Sequence, residues 1–96
     1  MQRNLKNEII LNQNSKSIKL LSHPSFKVIG LGFKKDQILE KHKTSTAAVL
    51  IVQFGEVDFF ISETTYHLKP GDFFEIPENI EHEVRSITDS YLYLVK

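Results

Sequence analysis

From Lys16 to the end of the chain, apolar and polar positions alternate in short runs rich in Val, Ile, Phe, Tyr and Thr, and no window keeps helical spacing for three turns. The pattern predicts strands over residues 16–22, 26–35, 37–43, 47–54, 57–62, 72–77, 81–87 and 91–95. Turns are expected at His23-Pro24, Lys35-Asp36, Gly55-Glu56, Pro70-Gly71, Pro77 to Asn79 and Thr88 to Ser90. Eight short strands at this spacing predict an all-β sandwich or barrel. Residues 1–15 are polar apart from Ile9, Ile10 and Leu11. They read either as a frayed segment or as an edge element whose aliphatic side chains need a surface to cover. The chain thus divides into this N-terminal segment and one domain over residues 16–96, with no internal repeat or linker.

Alternation also assigns side chains to faces. Ile80, His82, Val84 and Ser86 form a mostly apolar face, with Glu81, Glu83 and Arg85 on the other, so His82 is expected to point inward. Glu40, His42 and Thr44 share a face by the same count, and the parity continues to Ala48, Leu50 and Val52. His42 and His82 are therefore expected to face one interior. His67 alternates against Leu68 and is expected to face away from it. Glu75, between Phe74 and Ile76, reads either as a pocket acid or as the partner of a cation on the outer face.

Composition narrows the functional classes. Ninety-six residues at 41% hydrophobic content make one domain with a modest core. Twelve basic and twelve acidic residues cancel without a cationic cluster, which argues against nucleic acid and membrane as partners. The absence of cysteine removes disulfides, thiolate metal sites and thiol catalysis. The N-terminal apolar run is too short for a signal or spanning segment, so a cytoplasmic location is expected. No Ser or Thr sits in a recognisable nucleophile–base arrangement, and no catalytic residue is assigned.

Gly71, Pro77 and His82 stand at a spacing of six and five residues, with Asn79 and Ser86 at two further marked positions. Upstream, Asp36, His42, Thr44, Ala48 and Gly55 form a second spaced set. These sets resemble the two motifs of the cupin family, RmlC-like jelly-roll β-barrels also described as double-stranded β-helices. The resemblance covers residues 25 to 95. It implies a site where metal-using members hold a divalent ion with three His and one Glu. Here Thr44 stands at the second His position and Ala48 at the Glu position. His42 and His82 remain, and Glu40, on the face of His42, is the candidate third ligand of a facial two-His, one-carboxylate set.

The cofactor expectation is therefore none, or a weakly held divalent Zn, Ni, Mn or Fe. The leading functional reading is a non-catalytic module with a degraded metal site. It would bind a small apolar or mixed ligand against Thr44, Ala48, Leu50, Glu75 and Val84. Two alternatives stay open: a metal-dependent cupin enzyme of isomerase or dioxygenase type using His42 and His82, and a structural or interaction protein. Residues 47–54 and 91–95 are apolar on both faces, which predicts a homodimer.

Overall fold

A computed structural model describes residues 2–22 and 25–96. The chain runs through α1 (Leu5–Glu8), β1 (Ser17–Leu20), β2 (Val28–Phe33), β3 (Ile38–His42), β4 (Ala48–Phe54), β5 (Val57–Ile61), β6 (Thr64–Leu68), β7 (Phe73–Ile76), β8 (His82–Ser86) and β9 (Ser90–Val95). Two antiparallel sheets, ordered β1-β2-β9-β4-β7 and β3-β8-β5-β6, pack face to face as a jelly roll. Each of the eight expected runs contains a strand. The expected turn at His23-Pro24 lies outside the described residues. Asp36, Gly55, Gly71 and Asn79, all at expected turns, take positive φ of 69°, 82°, 92° and 60°.

Strand β6 had no counterpart in the sequence reading. It follows β5 through Ser62 and Glu63, both at positive φ (49° and 62°), as a two-residue hairpin turn with matching twist requires. Asn-Gly usually announces such a turn, and Ser-Glu does not. The first four residues of β6 are exposed, so no apolar alternation marks it either.

The core lies between the sheets, where Leu31, Phe33, Leu50, Val52, Val57, Phe59, Val84 and Leu92 are at most 1% exposed. Each such side chain contributes about 1.5–3 kcal/mol on burial.

The N-terminal segment lies against the outside of the five-stranded sheet. Asn4 caps α1 by accepting from the Lys6 amide, and Leu5 and Ile9 are buried. Ile9 and Leu11 sit above Gly32, where an added Cβ would collide with Ile9 and come within 2.8 Å of Leu11. The segment therefore approaches β2 closely because Gly30 and Gly32 carry no side chains on that face. Arg3 donates to the Leu21 carbonyl at 2.9 Å and pairs with Glu8 at 3.0 Å, while Lys19 reaches the same carboxylate at 3.1 Å. Arg3 and then Lys19 lower the Glu8 pKa to about 2. Lys6 Nζ stands 3.7 Å from the centre of the Phe54 ring.

Candidate functional site

The two ends of the sandwich differ in closure. Along β9, Ser90 and Leu92 are fully buried while Leu94 is partly exposed; along β2, Phe33 and Leu31 are buried while Ile29 is partly exposed. All six side chains belong to the inner face, which is therefore sealed at one end and partly accessible at the other. The closed end is sealed by the buried hydroxyls of Ser86 and Ser90. Ser86 Oγ donates to the Thr88 carbonyl, Ser90 Oγ lies 2.7 Å from the same carbonyl, and the two hydroxyl oxygens are 3.1 Å apart. Gly55 fits against this knot, because a Cβ there would meet the Asp89 carbonyl and the Ser90 hydroxyl.

The open end holds the histidines. His42 faces His82 across the β3–β8 pair, with ring centroids 4.4 Å apart at an interplanar angle of 64°. His82 is 4% exposed and His42 is half-buried. The expectation that they share an interior holds, but simple alternation does not produce it. Leu39 pairs with Val84 and His42 with His82, so β3 carries one extra residue between them, a bulge. Bulges re-aim the side chains that follow them. Before the bulge the inward residue is Leu39, which packs on the core, and Glu40 points the other way.

Glu40 is therefore corrected as a ligand. Its side chain is 75% exposed and its carboxylate is taken by Lys16 Nζ at 3.1 Å. Glu75 is also corrected as a pocket residue. It is exposed on the outer face of β7 opposite Val49, with Ile76 turned to the core. Thr44 spends its hydroxyl on the Thr46 carbonyl at 2.9 Å, and its own carbonyl accepts from the Asn79 amide at 2.7 Å. Ala48 sits on the inner face at 7% exposure, and Leu50 and Val84 are sealed in the core at 1%. Of the expected metal ligands, the structure pairs His42 with His82; of the expected pocket residues, it gathers Ala48, Leu50 and Val84 into the core cluster.

Aromatic side chains that the sequence left unassigned extend this pair. Phe59 lies 5.7 Å from His82, Phe74 lies 4.7 Å from Phe59, and Tyr66 lies 4.8 Å from Phe74, all between ring centroids. The parity of β5 and β7 carries a signal for Phe59 and Phe74; Tyr66 rides on the unrecognised strand.

Hydrogen bonding sets the chemistry of the two imidazoles. His42 Nδ1 lies 2.8 Å from the Glu40 carbonyl and His82 Nδ1 lies 2.9 Å from the Ile80 carbonyl. A carbonyl only accepts, so Nδ1 carries the proton in both neutral rings and Nε2 carries a lone pair. Neither Nε2 has a hydrogen-bond partner among the described residues. No buried polar side-chain atom among them is left unpartnered, so His82 Nε2 keeps contact with solvent at the mouth. Burial first, and the neighbouring His42 in addition, push the His82 pKa down despite the opposing backbone hydrogen bond.

Two imidazoles do not make a complete metal centre. Among the described residues no three His, Asp or Glu converge on one point, and Thr44 and Ala48 supply no replacement ligand. The donor set does not fit the three-His, one-Glu site that the resemblance implied.

His67, as expected, faces outward. It bridges two carboxylates, with Nε2 2.6 Å from Glu56 and Nδ1 3.1 Å from Asp58. Asp58 and then Glu56 raise its pKa.

Comparison with known proteins agrees with this fold. The family described as "AraC-like ligand binding domain" matches residues 23–96. A conserved protein of unknown function from Streptococcus pyogenes superposes with a TM-score of 0.88 at 19% identity, over 99% of this chain and 84% of that one. An RmlC-like cupin from Desulfovibrio desulfuricans superposes with a TM-score of 0.88 at 21% identity, over 99% of this chain and 93% of that one. KdgF from Halomonas sp. superposes with a TM-score of 0.79 at 19% identity, over 86% of this chain and 78% of that one. At these identities the likeness establishes the fold. A search of curated proteins finds no match to this chain.

Proposed function

The chain belongs to the family of AraC-like ligand binding domains, with a cupin fold, and on that premise we propose that it is a non-catalytic module that takes a small molecule into the open end of the sandwich. The observation that carries this reading is the partial burial of inner-face apolar side chains toward the end that holds the His42–His82 pair, where an imidazole nitrogen also stays in reach of solvent. The reading moves the site away from Leu50, Val84 and Glu75 to the mouth, where Ile29, Leu39, Leu94 and Phe74 are only partly buried. A metal-dependent isomerase or dioxygenase would need a third ligand that the described residues do not bring to the pair. Calorimetry with zinc on tag-free protein, beside native mass spectrometry of co-purified small molecules, tests the reading. Weak zinc binding and a retained organic mass are expected; tight, stoichiometric zinc would overturn it.

Within the same reading, the module works as a homodimer. On the outer face of the five-stranded sheet Ile51 lies between Tyr93 and Phe73, and Val49 lies beside Val95, in cross-strand register. Phe73 is 63% exposed, a large apolar area for a surface sheet. A second copy offering the same face would cover it. Light scattering is expected to give twice the mass of the 11.1 kDa chain, and Phe73→Lys to return the protein to the monomer.

A further inference from the structure

Resting on that binding reading, we infer that the mouth selects an uncharged ligand carrying a hydroxyl or amide N–H on a ring-bearing apolar body, and that it rejects carboxylates. Three observations converge on this ligand class. First, the Nδ1–H groups of His42 and His82 are both committed to backbone carbonyls, so each ring can offer a ligand only the lone pair on Nε2. A ligand must bring the proton. Second, the inward strand positions carry no Lys, Arg, Asp or Glu. The inner residues nearest the mouth are Ile29, Leu39, Leu94, Phe74 and the two histidines. Lys41 and Lys43, which flank His42 in sequence, instead line a separate hollow with Phe60, Ile80 and Glu81. An incoming carboxylate would lose its hydration beside two lone pairs, with no Lys or Arg on the inner face and binding possible only with uptake of a proton by a ring, and an ammonium would find no counter-charge. Third, of the rings in mutual contact from His82 through Phe59 and Phe74 to Tyr66, the fully buried Phe59 only backs the group, while the partly buried Phe74 and the exposed Tyr66, 4.8 Å apart, offer aromatic surface to an apolar ring.

A matched series isolates the contribution of the donor: toluene, benzyl alcohol, benzylammonium and benzoate, each titrated into protein labelled with ¹⁵N at histidine and followed by NMR. The free protein should show both rings as the Nδ1–H tautomer. Benzyl alcohol should bind at least about tenfold more tightly than any of the other three and move the His82 Nε2 resonance. In His82→Phe, whose folding is checked by its near-native methyl spectrum, the advantage of the alcohol over toluene should shrink. Should His82→Phe fail to fold, His42→Phe at the half-buried position serves the same comparison. Benzoate or toluene matching the alcohol overturns the selectivity and leaves the binding reading standing, as does an Nε2–H tautomer in the free protein. If no member of the series binds at millimolar concentration, the open mouth is not a binding site and both readings fall together.

Discussion

The two ends of this sandwich each bury polar side chains in an apolar core, and they treat them oppositely. At the closed end the Ser86 and Ser90 hydroxyls find the Thr88 carbonyl, the Glu56 carbonyl and each other. At the open end His42 and His82 each satisfy one nitrogen on the carbonyl two residues earlier and leave the other without a partner among the described residues. Buried polar groups that are fully bonded rigidify a structure, whereas an unused lone pair stays open to solvent or to another donor. Of the motif positions, Gly55 and Ser86 lie at the closed end, both beside Ser90, whereas His42, His82 and Thr44 lie toward the open one, with Asn79 bonded to Thr44.

The sharpest test strikes the closed end. Gly55 combines φ of +82° with backbone and the Ser90 side chain where a Cβ would lie. Gly55→Val should cost about 3 kcal/mol and lower Tm by roughly 15 °C, measured by calorimetric scanning. A loss of only a degree or two would mean that this end is not the rigid one.

The open end is tested next by rebuilding its chemistry. Thr44→His with Ala48→Glu restores the two positions at which the resemblance places ligands. The double variant should bind zinc roughly a hundredfold more tightly than the native chain, about 2.7 kcal/mol. Equal, weak binding by both would show that position 44, tied to Thr46 and Asn79, cannot turn toward the pair.

A paired comparison sets the ends directly against each other. Ser90→Ala removes the buried hydroxyl that bonds the Thr88 and Glu56 carbonyls and Ser86, and should cost about 1–2 kcal/mol in urea unfolding, while His82→Phe should stay within about 1 kcal/mol of the native protein in either direction. A larger cost for His82→Phe would make the histidine pair a structural network rather than a held-open valence. At the open end's hairpin, Ser62 and Glu63 hold positive φ with side chains that disfavour it. Ser62→Asn with Glu63→Gly should stabilise the protein by about 1 kcal/mol and raise Tm by several degrees.

The smallest effect is electrostatic, and it has opposite sign for two histidines. The raised pKa of His67 gives stability that is full below the ordinary value of 6.5 and is lost as pH climbs through the folded value. The lowered pKa of His82 gives stability that is present above 6.5 and is lost as pH falls toward the folded value. Between pH 8 and 5, His67→Gln should steepen the acid loss of Tm, and His82→Phe should flatten it. Identical profiles for the two variants would contradict the assignment of one ring to the surface and the other to the core.

Much of this molecule is decided by local chemistry and is therefore legible in one dimension. Period-two alternation marks eight of the nine strands, because a half-buried strand must place apolar side chains on one face whatever surrounds it. Gly55, Gly71 and Asn79 announce their turns because positive φ depends on the residue itself. The inward direction of His82 follows from the same local count. Tertiary structure alone decided the rest. Strand β6 exists because β5 offers it a partner, with a Ser-Glu turn that carries no signal of its own. The N-terminal segment docks because Gly30 and Gly32, more than twenty residues away in sequence, leave room for Ile9 and Leu11. The bulge in β3 turns Glu40 outward and His42 inward, and it is set by the pairing of β3 with β8 rather than by any residue within it. Alternation is a property of one strand, whereas register belongs to two, and a single added residue in that register decided which side chain meets His82.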